Sequence, residues 1–181
     1  MSLNLLLPFL AAAVMFAFAW QVFRRFGARR SVPLLVWGMG LTLFALASLA
    51  EALAALTWYP LIFQVWYLCG ALLSAAWIGQ GTVYLIWRRQ VGDVTLVPLA
   101  LGSLSVAALL FSTPLDGSKF DVAQPLSIQY AAVLPADALV RRLTPFFNIY
   151  GTLTLVGGAL YSAYLFWRKR VMGQGVIGNM L

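Results

Sequence analysis

Residues 61–89 read LIFQVWYLCGALLSAAWIGQGTVYLIWRR, an uncharged run from Leu61 to Trp87 that stops at two arginines. At a rise of about 1.5 Å per residue, a helix of this length exceeds the roughly 30 Å hydrocarbon core of a bilayer. No water is available in that core to satisfy backbone N–H and C=O groups, so a single segment crosses it only as a helix. Tyr84 and Trp87 suit the interface, and Arg88 and Arg89 mark where the chain returns to water.

The same grammar recurs on both sides. Leu3–Phe23 is apolar and is followed by Arg24, Arg25, Arg29 and Arg30. A cleaved signal peptide has its positive charge before the apolar run, so this segment is kept as a span. Val32–Leu56 ends at Thr57-Trp58-Tyr59-Pro60, whose aromatic pair fits an interface and whose proline resists helix continuation. Val94–Phe111 is the shortest span, with Asp93 as its expected N-cap. Pro145–Trp167 opens on a proline suited to a first helical turn and closes at Arg168, Lys169 and Arg170. The expected fold is therefore all-α: one transmembrane helical bundle over residues 1–181. Its spans fall at about 3–23, 32–56, 61–87, 94–111 and 145–167, with a long segment at 112–144. A further crossing by Val122–Val140 is disfavoured by Gln124, Pro125, Gln129, Pro135 and Asp137.

Composition agrees. With 62% hydrophobic and 9% charged residues and a mean hydropathy of +0.89, the chain carries more apolar surface than one soluble core can hide. The net charge of +7 does not indicate nucleic acid, because nine of the twelve basic residues sit directly after apolar spans. Lys119, Arg141 and Arg142 are the other three. Threading five spans alternately puts the nine on one side, which the positive-inside rule makes cytoplasmic. The expectation is a bacterial cytoplasmic-membrane protein with its N-terminus and the 112–144 segment outside and its C-terminus inside. The tail, Gly173–Leu181, reads as the start of a sixth helix or as an interfacial hook. Trp20-x-x-Phe23-Arg24-Arg25, Tyr84-Leu85-x-Trp87-Arg88-Arg89 and Tyr164-Leu165-x-Trp167-Arg168-Lys169 share a pattern. Either an internal duplication or the common demands of a cytoplasmic interface accounts for it.

Residues that announce chemistry are scarce. Histidine is absent, and with it the usual zinc and haem ligand and the commonest general base. The single cysteine, Cys69, rules out an intrachain disulfide or a CxxC motif. Glu51 is the only acid within a span, and Gln64 and Asn148 fall at similar depth. The three define a candidate polar pocket facing outward, with a snorkelling Glu51 paired to Arg141 or Arg142 as the plainer alternative. Small residues at helical spacing form candidate packing faces: Gly70, Ser74, Ala75 and Gly79 on the third span, and Gly151, Gly158 and Ser162 on the fifth. Gln80 needs a partner for its amide, interhelical more readily than a substrate. In the long segment, Leu126, Ile128 and Tyr130 alternate with polar residues, as in a short extended piece, and Asp137 is placed to cap a turn carrying Arg141 and Arg142. That segment is read as a cap over the helix ends or a docking surface. Asp116, Asp121 and Asp137 are too dispersed for an oxygen-ligand cation site and read as solvated surface.

No span carries paired carboxylates or a nucleophile with its base, so no catalytic residue and no metal site is assigned. The reading that survives is a non-catalytic accessory or structural subunit of a larger membrane complex, an energy-transducing one included. Its expected partners are membrane lipids and other integral membrane subunits, with lipid, quinone or carotenoid tails in interhelical grooves. Two alternatives remain open: a small-molecule or ion transporter with its pocket around Glu51, and a membrane sensor or input module.

Overall fold

The computed structural model describes the backbone of residues 3–178 and the side chains of residues 5–168. It is all-helical, with no strand among the described residues, and holds five helices long and apolar enough to cross a membrane. The first span is Leu3–Arg29, the second Val32–Ala54, the third Pro60–Ile86, the fourth Arg89–Ser112, and the fifth lies within the helix Leu139–Gly178. Each hairpin partner runs antiparallel, so one end of the bundle gathers the basic clusters and the other carries the segment between the fourth and fifth spans. These are called the basic end and the cap end.

The third span is the axis of the bundle: half of its apolar stretch is buried within the protein, against 11% for the first and fifth spans. It packs against the second, fourth and fifth spans, whereas the first packs chiefly on the second. The second span meets its neighbours through a face of Ala45, Ala47, Ser48, Ala50, Ala52 and Ala54, all buried. Between the first two spans the chain reverses within Arg30 and Ser31, and Arg30 takes φ 50° to do so. That left-handed conformation costs a non-glycine residue about 1–2 kcal/mol, a cost shared here with the guanidinium lying 5.9 Å over the Phe26 ring.

Several boundaries differ from the sequence expectation, beginning with the first span, which runs to Arg29 and not to Phe23. The second span stops at Ala54 and the third begins at Pro60, leaving Leu56 in the turn. The fourth span starts at Arg89 rather than Val94, and Arg88, in extended conformation, is its N-cap. Asp93 therefore lies one turn inside the helix. There it accepts from the Tyr84 hydroxyl at 2.7 Å and pairs with Arg89 at 3.8 Å. The fifth span begins at Leu139, with Pro145 inside the helix and not at its start. The Ala138 N–H donates to Pro135 and the Arg141 N–H to Ala138, which close the first turn six residues earlier than a proline start implied. Among the described residues no separate sixth helix begins in the tail, because the fifth helix continues unbroken to Gly178, and residues 179–181 lie outside the described backbone.

The third span holds a feature without a sequence signal. Residues Tyr67–Leu73 form a π-helix between α-helical Pro60–Trp66 and Ser74–Ile86. Such widened turns are rare and are frequent at functional sites. Here the Ser74 hydroxyl donates back to the Gly70 carbonyl at 3.0 Å, a bond that favours local bending.

At the cap end, the segment expected at 112–144 covers the span ends and belongs to the hydrophobic core. Leu126, Val133, Leu134, Ala138 and Val140 are buried with Phe63, Trp66, Tyr67 and Leu110. The extended piece expected at Leu126–Tyr130 is instead a helix, Leu126–Val133. The buried residues Leu126, Gln129 and Val133 follow a helical spacing of three and four, which short alternation had disguised. Gln129 fixes this helix by accepting from the Asp121 N–H at 2.7 Å and donating to the Asp121 and Gln124 carbonyls. Trp58 and Phe120, with ring centroids 4.7 Å apart, join the cap to the turn between the second and third spans.

Candidate functional site

A groove of about 910 Å³ lies at the cap end between the π segment, the cap helix and the first turns of the fifth span. The third span contributes Trp66, Tyr67, Gly70 and Ala71, the cap helix Ser127 and Tyr130, and the fifth span Arg141, Thr144, Asn148, Ile149 and Leu153. Its head is polar and aromatic, with Tyr130 6.1 Å from Tyr67 and 6.4 Å from Trp66 between ring centroids. Further along the fifth span its lining is mainly apolar, with Thr152 the exception, and the rim residues Ile149 and Leu153 are 57% and 67% exposed. The groove therefore opens on the side of the bundle, between the third and fifth spans.

The side chains at the head are held in place. Thr144 spends its one hydroxyl proton on the Val140 carbonyl at 2.9 Å, so Tyr67 is the donor in the 3.0 Å contact between the two hydroxyls. Arg141 donates through Nη1 to Leu134 at 3.1 Å, with a longer contact to Ala131, and its guanidinium sits 5.7 Å over the Tyr130 ring. These contacts offset the poor placement of a cation in the first turn of a helix. Nη2 and Nε have no acceptor among the described hydrogen bonds, which leaves them for an occupant of the groove.

The three residues expected to share one pocket are not brought together. Asn148 lines the groove. Gln64 is buried and turned toward the fourth span, donating to the Leu110 carbonyl at 3.4 Å. Glu51 is half-buried against Trp66, whose side chain is its hydrogen-bonding neighbour. Similar depth did not mean a common face. Nor is Glu51 paired with Arg141 or Arg142: the two ion pairs among the described residues are Arg89–Asp93 and Lys119–Asp116. Arg141 is turned to the cap carbonyls and Tyr130, while Arg142 is exposed.

The packing residues fare differently. A Cβ on Gly151 would lie 2.6 Å from the carbonyl carbon of Ala75, and one on Gly79 would meet Thr154 and the Gly151 carbonyl. The third and fifth spans thus touch backbone to backbone. Gly158 faces only the ends of Thr82 and Ile86, so Gly151, and not Gly158, is the centre of the contact. Gly70 packs on Ala47 of the second span, and Ser74 bonds within its own helix. Ser162 is exposed and lies outside the contact. Sequence reasoning missed Gly40, which abuts the Ile78 backbone, and Gly81 and Gly92, which accommodate the rings of Trp37 and Tyr84.

Gln80, fully buried, joins three spans. Its amide donates to the Gly92 carbonyl at 2.8 Å and to Thr95 at 3.1 Å, and its oxygen accepts from the Tyr150 hydroxyl. All of its polar atoms are engaged, as interhelical bonding requires and as a free ligand site would not show.

At the solvent surface, the Asp116 carboxyl accepts from the Ser118 hydroxyl at 2.5 Å and pairs with Lys119 at 2.9 Å. The Ser118 bond, then Lys119, hold it below its ordinary range. Asp121 accepts from the Ala123 N–H at 2.8 Å, so both aspartates close turns of the cap. No protein-family model, curated protein or solved structure matches the chain.

Proposed function

We propose that the chain is a non-catalytic membrane subunit that holds an amphiphile in the cap-end groove and presents its outer helices to partner subunits and lipid. The observation that carries this reading is the gradient along one continuous groove, from Arg141 and Thr144 at its head to Ile149 and Leu153 at its lipid-facing rim. A lipid, quinone or carotenoid has matching polarity along its length. Ligand sites in general are concave and mostly apolar, with a few polar groups that set orientation. The exposed residues Leu7, Phe9, Phe146, Leu160 and Phe166 on the first and fifth spans leave broad apolar faces for neighbours. Nine basic side chains at the basic end against three at the cap end support an orientation with the basic end in the cytoplasm of a bacterium.

The test is purification from native membranes in mild detergent. Recovery with partner proteins at fixed stoichiometry and with a bound amphiphile is expected. A monodisperse, lipid-free monomer that moves solute across liposome membranes contradicts the subunit reading. That outcome supports transport, whose structural basis is that Trp66 touches Glu51 and also lines the groove.

A further inference from the structure

We infer that the occupant of the groove is a lipid with an anionic head group, bound with that head at Arg141 and an acyl chain along Ile149 and Leu153. This rests on the amphiphile reading above and adds the chemistry that selects the lipid. Arg141 is the one charged side chain lining the groove. Neither ion pair among the described residues involves it, so its charge is not neutralised by an acid of the chain. Its contacts with Leu134 and Ala131 orient the guanidinium through Nη1 and leave two other nitrogens able to donate. A planar fork of this kind matches the oxygens of a phosphate, and the bonds are charge-assisted. Ser127 adds a neutral donor from the cap helix, and Asn148 another, about 10 Å further along the fifth span beside Ile149.

The tail follows from the geometry below the arginine. Twelve residues separate Arg141 from Leu153, about 18 Å along the helix, close to half of the roughly 30 Å hydrocarbon thickness. The groove therefore runs the depth of a single leaflet. Because its rim at Ile149 and Leu153 is open to the side, a lipid reaches it laterally from the membrane. A free water-borne anion would use the head and leave the apolar length unfilled.

The experiment compares phosphatidylglycerol with phosphatidylcholine of the same acyl chains, and with soluble glycerol 3-phosphate, on the purified full chain by native mass spectrometry. Both heads carry the phosphate, but the choline cation of phosphatidylcholine cancels its charge beside Arg141, so phosphatidylglycerol is expected to bind about tenfold more tightly. Arg141→Gln is expected to abolish that preference, and Arg141→Lys to keep part of it. Arg141 also holds the cap, so the melting temperature of each variant is measured alongside, and Asn148→Leu provides a second variant outside the cap contacts. Leu153→Trp, at an exposed rim position, is expected to weaken both lipids alike. Equal binding of the two lipids by the wild type, with Leu153→Trp still excluding both, overturns the head-group inference and leaves the groove reading standing. Failure of Leu153→Trp to weaken either lipid overturns the groove reading itself. Glycerol 3-phosphate binding as tightly as phosphatidylglycerol replaces the lipid by a soluble anion.

Discussion

Gly151 of the fifth span faces the peptide group that joins Ala75 to Ala76: a Cβ there would stand 2.6 Å from the Ala75 carbonyl carbon and 2.8 Å from the Ala76 nitrogen. A peptide group cannot rotate aside as a side chain does, so the two helices must separate to admit even one methyl. Gly151→Ala is expected to destabilise the protein by about 1–3 kcal/mol, the range of overpacked sites. Gly158→Ala should cost less, since it meets only the ends of Thr82 and Ile86. Gly158→Leu should still cost more than Leu155→Ala. Thermal melting in detergent ranks the four, and equal melting of Gly151→Ala and wild type would remove the packing argument.

Gln80 is expected to be worth more than its position on a helix suggests. Gln80→Leu takes the Gln80 acceptor from the Tyr150 hydroxyl and one donor from the Gly92 carbonyl, which keeps its bond from the Thr95 hydroxyl. The loss should be about 1–2 kcal/mol, while Tyr150→Phe, which strands only one lone pair of the amide, should cost about 0.6 kcal/mol. A double variant measuring the plain sum of the two would show that they are not coupled.

Orientation is open to a direct chemical check. In a Cys69→Ala background, Asp137→Cys at the exposed start of the fifth helix is expected to react with an impermeant maleimide added to intact cells. Gly173→Cys, beyond the basic end, is expected to react only after the membrane is opened. The opposite pattern inverts the topology.

The turn at Gly117–Lys119 should respond to acid in one direction. Its Asp116 carboxyl lies below its ordinary value in the folded chain, so it binds protons less readily folded than unfolded. Its contribution is fully present above the unfolded value of about 4 and is lost as pH falls through the lower folded value. Hydrogen exchange at the Ser118 amide, which donates to Asp116, is expected to stay protected at pH 5 and to lose protection in stronger acid. Asp116→Asn should remove that pH dependence.

Glu51→Gln is expected to leave stability and assembly within a few-fold of wild type, because the amide keeps an oxygen for Trp66. Flux of protons or solute through reconstituted wild type, abolished in this variant with its fold intact, would instead make Glu51 a transport residue.

The five spans were legible because lipid imposes a simple code of length, charge and aromatic flanks, and Leu61–Trp87 states that code in full. The ends were harder to read. Pro145 and Asp93 both suit a helix start, yet each lies inside its helix because neighbouring residues, Pro135 with Ala138 and Arg88 with Gly92, supply earlier first turns. The candidate site was half legible. Asn148 and Arg141 were recognised, but a linear reading estimates depth and not facing, so Gln64 and Glu51 were grouped with a groove they do not line. Ser127 and Tyr130 reach that groove only because the cap folds back over the third span.

The π segment has a consequence for how the third span tolerates change in length. A π turn accommodates an additional residue, and each residue of an α-helix advances the facing direction by about 100°. Removing one residue between Tyr67 and Leu73 would let the turn close into ordinary α-helix and leave everything on its cap side at nearly the same angle to Gln80. Gln64 would keep its aim at Leu110 and Trp66 its place beside Glu51 and the groove, whereas the same deletion within α-helical Ser74–Ile86 would turn both by about 100° relative to residues beyond it. The segment thus acts as slack in the span, able to give up a residue without changing the angle between a polar anchor at one end and another near its far end.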